Sequence, residues 1–453
     1  MRANARTGGK PAKPAAATVH GAARSAGEAI RYLRLSQAEI DEMVRRHAML
    51  YAGIPGGARA VFSYFDLTGR ELRGRNLADA NFTGARMNGA DLSGAVLDSA
   101  TLFCADLGQV KLVKASLRRA DMCGACMRCA DLSGADLFEC DLREGTIAEK
   151  DRDGHLTFLT HDVTLTAMDT ALLANANLER AKMAGVVAAQ CDFSDAVMRG
   201  ARLVRATLRQ ANLSGANLEN ADLSGANLSG ADLSRTVLTG ALMTLTAFYE
   251  TRMEGVLTEE TAGCSIRDFD EPVECILEHH ARFIDSDGAE GAPADLAHVD
   301  LRPLKSLKHA TLTGLRAPGA VLYGLDLSGC RLQAANLEGA DLRTASLAGA
   351  DLRGVNLAGA RLNNVDLRDA ILGPLLIGGE RVLPARLNRA VLRYADLRGA
   401  DVYQCVLTGA NLSFANLTGA NTSRAGLPDA RLDGTRLPSG QLAGNLSDLL
   451  RAT

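Results

Sequence analysis

A leucine recurs at every fifth position through ANLSGANLENADLSGANLSGADLS, residues 211–234: Leu213, Leu218, Leu223, Leu228 and Leu233. That period matches neither the 3.6 residues of a helical turn nor the two-residue alternation of a strand. Ala stands two positions before each Leu, Asp or Asn immediately before it, and commonly Ser-Gly after it. A chain that turns every five residues and always shows Leu to one axis is a coil. Stacked coils bury the Leu with the small Ala beside it, so the expected core is a column of Leu layers. Asp and Asn bond neighbouring backbone groups in turns, and Gly tolerates the positive φ that some turns demand.

The A-[DN]-L-x-x pattern, as in Ala216-Asn217-Leu218 and Ala221-Asp222-Leu223, resembles the pentapeptide-repeat family. The pattern extends over about three quarters of the chain, far beyond a chance repeat. The resemblance implies an all-β fold, a right-handed quadrilateral β-helix with four pentapeptides per coil. Handedness and square section come from the resemblance; the period alone does not supply them.

The phase of the repeat divides the chain. Residues 1–27 carry Arg2, Arg6, Lys10, Lys13 and Arg24 with no acidic residue, and read as a disordered basic arm. A helical cap and loop are expected at 28–64, then a first β-helix over 65–255. Its register runs from Leu67 through Leu142 to Ile147 and resumes around Val163, displaced by one residue, through Met168, Leu173 and Phe193 to Met253. The break holds Asp153-Gly154 and reads as a β-hairpin inserted at 148–160. Between 256 and 306 the period gives way to a helix and loop, with Val273, Ile276, Leu277, Ala281 and Ile284 near helical spacing after Pro272. A second β-helix is expected over 307–437 with an in-phase insertion at 373–384, and a tail over 438–453. The segments 38–67 and 271–301 resemble each other, each with a predicted helix, a His (His47, His280), a Gly-rich loop and an Asp-Leu opening onto repeats. The expected architecture is therefore two tandem modules, each capped by a helix that would cover its open strand edge.

Chemistry is sparse. Cys123, Cys126 and Cys129 form CxxCxxC, the spacing of a metal or iron–sulfur site, but no flanking Cys or His completes it in sequence. Cys104 falls one coil earlier beside Cys123 and Gly124; Cys140 and Cys405 fall in the inward phase. With ten cysteines and no export signal, thiols are expected. One His of each predicted helix fits a hydrogen bond that fixes the helix in place. Asp91, Asp106, Asp222, Asp341 and Asp351 precede Leu in the same way throughout, so none singles out a site. There is no phosphate loop, nucleophile elbow or HExxH. No catalytic residue, metal or cofactor is expected.

The expected function is a non-enzymatic protein-interaction scaffold in the cytoplasm, with an unidentified protein partner and a homo-oligomer left open. No apolar run is long enough for a membrane span. The resemblance implies an alternative. Quinolone-resistance members and related topoisomerase inhibitors mimic DNA and occupy DNA gyrase, and their rods are strongly acidic. Here the net charge is only −3, and Arg118, Arg119, Arg199, Arg202, Arg205, Arg209, Arg343, Arg353 and Arg368 interleave with Asp and Glu at outward positions. That departure disfavours gyrase as the partner.

Overall fold

The computed structural model describes residues 32–145, 148–150, 156–158, 165–378 and 381–440. The basic arm, the Asp153-Gly154 turn and the tail from 441 onwards lie outside the described residues.

Every backbone N–H of one pentapeptide, residues 212–216, has an acceptor. Asn212 N–H donates to Cys191 O of the preceding coil at 2.8 Å, while Leu213 and Gly215 donate to Asp232 O and Ser234 O of the following coil at 2.7 and 2.9 Å. Ala216 N–H turns back to Leu213 O at 2.9 Å. Ser214 N–H has no carbonyl in reach, and Asn212 Oδ1 accepts it at 3.1 Å. Asp or Asn before the Leu thus supplies the one acceptor the coil lacks. The same bond recurs from Ser93 to Asp91 at 2.9 Å, Glu219 to Asn217 at 3.0 Å and Ser224 to Asp222 at 3.0 Å. The second residue after each Leu turns the corner at positive φ, 72° at Gly215 and 57° at Asn220. Gly adopts that conformation freely; other residues do so at a cost of about 1 kcal/mol.

Parallel bridges join Asn212 to Asp232 and Asp232 to Arg252, a step of 20 residues. Four pentapeptides therefore complete one coil. The Leu from residue 213 to residue 233 are fully buried, with the preceding Ala beside them. Each buried Leu contributes about 2 kcal/mol.

The chain divides after Val256 into two compact units. In the first, strand β1 (Leu33–Arg34) leads into helix α1 (Gln37–Tyr51) and pairs in parallel with β2 (Phe65–Asp66). A capping box opens α1: Ser36 Oγ accepts from Glu39 N–H at 3.3 Å and Glu39 Oε2 accepts from Ser36 N–H at 2.8 Å. Ile40 and Val44 of α1 are buried in the same cluster as Phe62 and Leu67. Strands β3 (Ala148–Lys150) and β4 (Leu156–Phe158) pair antiparallel within the interruption. Cys126 then bridges Ala167, a step of 41 in place of 20, so 21 extra residues displace the phase by one.

The second unit opens in the same way. Strand β5 (Cys264–Ser265) precedes helix α2 (Val273–Asp285) and pairs in parallel with β6 (Val299–Asp300). Val273 and Leu277 join the cluster of Leu296 and Leu301. Farther on, β7 (Leu375–Leu376) and β8 (Val382–Leu383) form an antiparallel pair, and Asn356 bridges Arg386, ten residues beyond the usual step, which preserves the phase.

Three expectations are corrected. The ladder starts at Val61 and at Asp295, not at 65 and 307. Ala294-Asp295-Leu296 is a complete repeat, hidden because a 3-10 turn at Arg302–Leu304 adds one residue between the bridged Asp300 and Ser306. Burial at the fifth positions also fails in the last coil of the first unit, where Met243 and Phe248 are half-buried and Met253 is exposed.

Replacing Leu223 with Asp sets an unpaired carboxylate in the Leu column, and we expect a loss of at least about 4 kcal/mol. Thermal unfolding followed by circular dichroism measures it. A variant that melts like the wild type contradicts the register.

Candidate interaction surface

Side chains immediately before the Leu, and one and two positions after it, face outwards, so any recognition chemistry lies there. Where Asp precedes the Leu and Arg follows it, the two fold onto each other. Arg353 Nε and Nη2 donate to Asp351 at 2.9 and 2.6 Å, Arg368 to Asp366 at 2.9 and 2.7 Å, and Arg398 to Asp396 at 2.9 and 2.6 Å. Hydrogen bonds from Arg368 and Arg398 hold the Asp366 and Asp396 carboxyls below the usual range. At Asp351 burial opposes ionisation, but Arg353 outweighs it and the carboxyl again falls. Arg343 bonds Asp341 in the same way, and that pair is buried.

In the first unit, opposite charges stack from coil to coil. Arg118 meets Asp136 at 2.7 Å, Arg119 and Arg180 meet Glu139 at 3.6 and 3.1 Å, and Arg199 meets Glu219 at 3.3 Å. Arg202, Arg205 and Arg209 make no ion pair among the described residues. Most of the outward Arg named from the sequence are therefore neutralised locally.

The CxxCxxC does not converge. Cys123 stands one position after its Leu-equivalent Met122, Cys126 one before Met127 and Cys129 two after it, so they spread over two adjacent sides. Cys104 N–H bonds Cys123 O, but no group of three or more His, Cys, Asp or Glu side chains among the described residues is placed to hold a metal ion. Burial pushes the Cys123 thiol up, and Cys129 Sγ lies 3.1 Å from Thr170 Oγ1. None of the ten cysteines forms a disulfide. Those at the inward Ala position serve the fold: Cys191, Cys330 and Cys405 donate S–H to Met168 O, Leu307 O and Leu372 O at 2.7, 2.8 and 2.9 Å. Burial raises the thiols of Cys191 and Cys330 to about 12 and about 11, which keeps them protonated and unreactive.

His47 and His280 occupy equivalent places. Each ring is buried, and each Nδ1 accepts a backbone N–H, from Ala60 at 3.1 Å and from Ala294 at 3.0 Å. Neighbouring His279 instead faces Glu271 at 3.6 Å on the surface.

Sequence reasoning missed two apolar exposures. Leu242, Leu245 and Tyr249 stand outward in the last coil of the first unit, Leu245 at 90 % exposure. Leu376, Ile377 and Val382 are exposed on and beside the β7–β8 pair, whose Leu375 and Leu383 pack over Gly354. The available signal was the loss of Asp or Asn before the fifth-position residue, as at Leu242 and Ala247. Inside the final coils, a cavity of about 10 Å³ is walled by Leu397, Leu417 and Leu427, where Val402 and Thr422 replace Leu. It is too small for a substrate. No helix among the described residues is long and apolar enough to cross a membrane.

The family model for pentapeptide repeats matches residues 76–112, 102–137, 171–210, 201–240, 306–343, 335–373 and 385–424, together more than half of the chain. Among solved structures, a pentapeptide-repeat protein (Rfr23) from the cyanobacterium Cyanothece 51142 is 25% identical over 29% of this chain and 90% of its own, with a TM-score of 0.26. HetL from Nostoc sp. strain PCC 7120, a protein involved in heterocyst differentiation regulation, is 25% identical over 88% of this chain and 98% of its own, with a TM-score of 0.13. QnrB1, a plasmid-mediated fluoroquinolone resistance protein, is 17% identical over 44% of this chain and 92% of its own, with a TM-score of 0.29. No curated protein matches the sequence.

Burial separates ion pairs that carry stability from those that do not. Asp300 is buried and takes Arg302 at 2.6 Å, while Arg302 also bonds Thr258 O and Glu260 O at 2.7 and 2.9 Å. Truncating Arg302 to Ala strands that carboxylate and should cost about 3 kcal/mol. Arg368→Ala, at a half-exposed guanidinium, should cost far less. Chemical denaturation of the two variants measures both, and equal losses contradict this ranking.

Proposed function

Because the chain belongs to the pentapeptide-repeat family, whose members fold as right-handed quadrilateral β-helices, we propose that it is a non-enzymatic scaffold that binds protein partners. What carries this reading is the division of labour between inside and outside. The interior is filled with Leu and Ala, and the cavity it holds is too small for a substrate. Outward polar groups are largely spent on the coil's own backbone and on each other, leaving broad, rigid, nearly neutral faces with local apolar patches.

We further infer two tandem β-helix modules, each opened by a helical cap. The repeated order of short strand, helix, buried His and parallel pairing supports it, as does the presence of each helix in its own unit's core cluster. A cap of this kind would protect the first strand edge and first Leu layer from water and from other chains. A cytoplasmic location and the absence of a cofactor belong to the same proposal.

DNA mimicry is not favoured, because many of the Asp and Glu that would imitate phosphates, such as Asp136, Glu139, Asp351 and Asp366, are paired with Arg on the same face or on the neighbouring coil. Affinity capture with the full chain from its native cell extract should retain a protein partner in near-stoichiometric amount. Supercoiling by DNA gyrase should be unaffected at micromolar protein. Salt-sensitive inhibition of gyrase would replace the scaffold reading with mimicry, and capture of no partner at all would contradict the scaffold itself.

A further inference from the structure

The two His-bearing helices contain the same device twice, independently of what the faces bind. His47 Nδ1 accepts Ala60 N–H across 13 residues of chain, and His280 Nδ1 accepts Ala294 N–H across 14. Ala60 and Ala294 each begin the first repeat of their unit. The imidazole therefore ties the middle of the helix to the start of the ladder, and it can do so only while Nδ1 is unprotonated. The other nitrogen, Nε2, is buried in both rings without a hydrogen bond of normal geometry. A second proton would thus meet a backbone donor at Nδ1 and create a charge in a site closed to water.

We propose that His47 and His280 are two copies of an acid-released latch, each holding its helix on the first coil while neutral and releasing it when protonated. Around His47 stand Tyr51, with ring centroids 5.1 Å apart, and Asp79 and Arg59 from the segment beneath the helix. Burial pulls its pKa down most strongly; the Ala78 carbonyl and Asp79 favour the proton, and Arg59 opposes it. Around His280 burial again dominates, with the Thr313 carbonyl favouring the proton and no charged side chain contributing among the described residues. Both pKa values are lower in the latched state than the ordinary 6.5, so the released state binds protons more tightly. The latches hold fully above about pH 7 and weaken as the pH falls below the ordinary value. Release would bare the first Leu layer of each unit, including Phe62 and Leu67 in one and Leu296 and Leu301 in the other.

Hydrogen exchange on the full chain at pH 7.5 and 5.5, corrected for intrinsic rates, tests the latch. A released-state His of ordinary pKa predicts roughly tenfold faster opening of α1 and α2 at the lower pH, with the middle coils unchanged. His47→Gln should remove the response at α1 and leave it at α2, and His280→Gln should do the reverse. Equal protection of both helices at the two pH values overturns the proposal, as does a response that survives in the variant helix. Should a variant helix lose protection at both pH values, the wild-type imidazoles decide by NMR titration. Rings titrating below 6.5 support the latch, and rings titrating at or above 6.5 overturn it.

Discussion

One short hydrogen bond completes the five-residue corner wherever Asp or Asn precedes the Leu. The Asp or Asn side chain accepts the backbone N–H of the residue after the Leu, a donor for which the backbone of the adjacent coils offers no acceptor. Without it, such a corner would leave one backbone N–H without that acceptor. A net contribution of about 1 kcal/mol per bond is modest, but it repeats at many corners and acts on the conformation that aims the Leu inwards. The same geometry explains why Cys and Thr are accepted at the inward Ala position. Their S–H or O–H donates to a carbonyl of the preceding coil, as Thr236 does to Leu213 O at 2.8 Å, so a buried polar atom remains satisfied.

Coils built this way have uniform sides and special ends. Along the sides, Asp and Arg within a repeat or on neighbouring coils cancel each other, which limits long-range electrostatic attraction to any partner. At the ends the ladder has no neighbouring coil, and the chain resorts to devices outside the repeat. The short parallel pairs β1–β2 and β5–β6, helices α1 and α2 and the two buried His all occur near where each unit's repeats begin. Where the first unit's repeats stop, Leu242, Leu245 and Met253 are exposed instead.

The legible part of the molecule was whatever repeats. Spacing alone places Leu213 to Leu233 inwards and identifies Asp and Asn as turn acceptors, and the one-residue phase change after 148–160 marks real inserted chain. The duplicated helix and His were visible because 38–67 and 271–301 share a pattern. What escaped was aperiodic. Strands of two residues such as Leu33–Arg34 and Cys264–Ser265 carry no side-chain signature, since their partners are backbone groups. The repeat at Asp295 was masked by a single extra residue in the following turn. Exposure of Met243, Phe248 and Met253 depends on whether another coil lies above them, which no local spacing reveals.

The central claim is that 20 residues of chain advance the first unit by one strand spacing, whatever is inserted between coils. Six bridged steps lead from Asn81 through Asp141 and Lys182 to Asp222, and five lead to Arg202. Spin labels at Asn81 and Asp222 should lie about 29 Å apart, and labels at Asn81 and Arg202 about 24 Å apart, each step being ~4.8 Å. The difference between the two pairs, measured by pulsed electron resonance on the same label chemistry, should equal one strand spacing. Equal distances in the two pairs, or an advance unrelated to that spacing, would contradict the stacked-coil account.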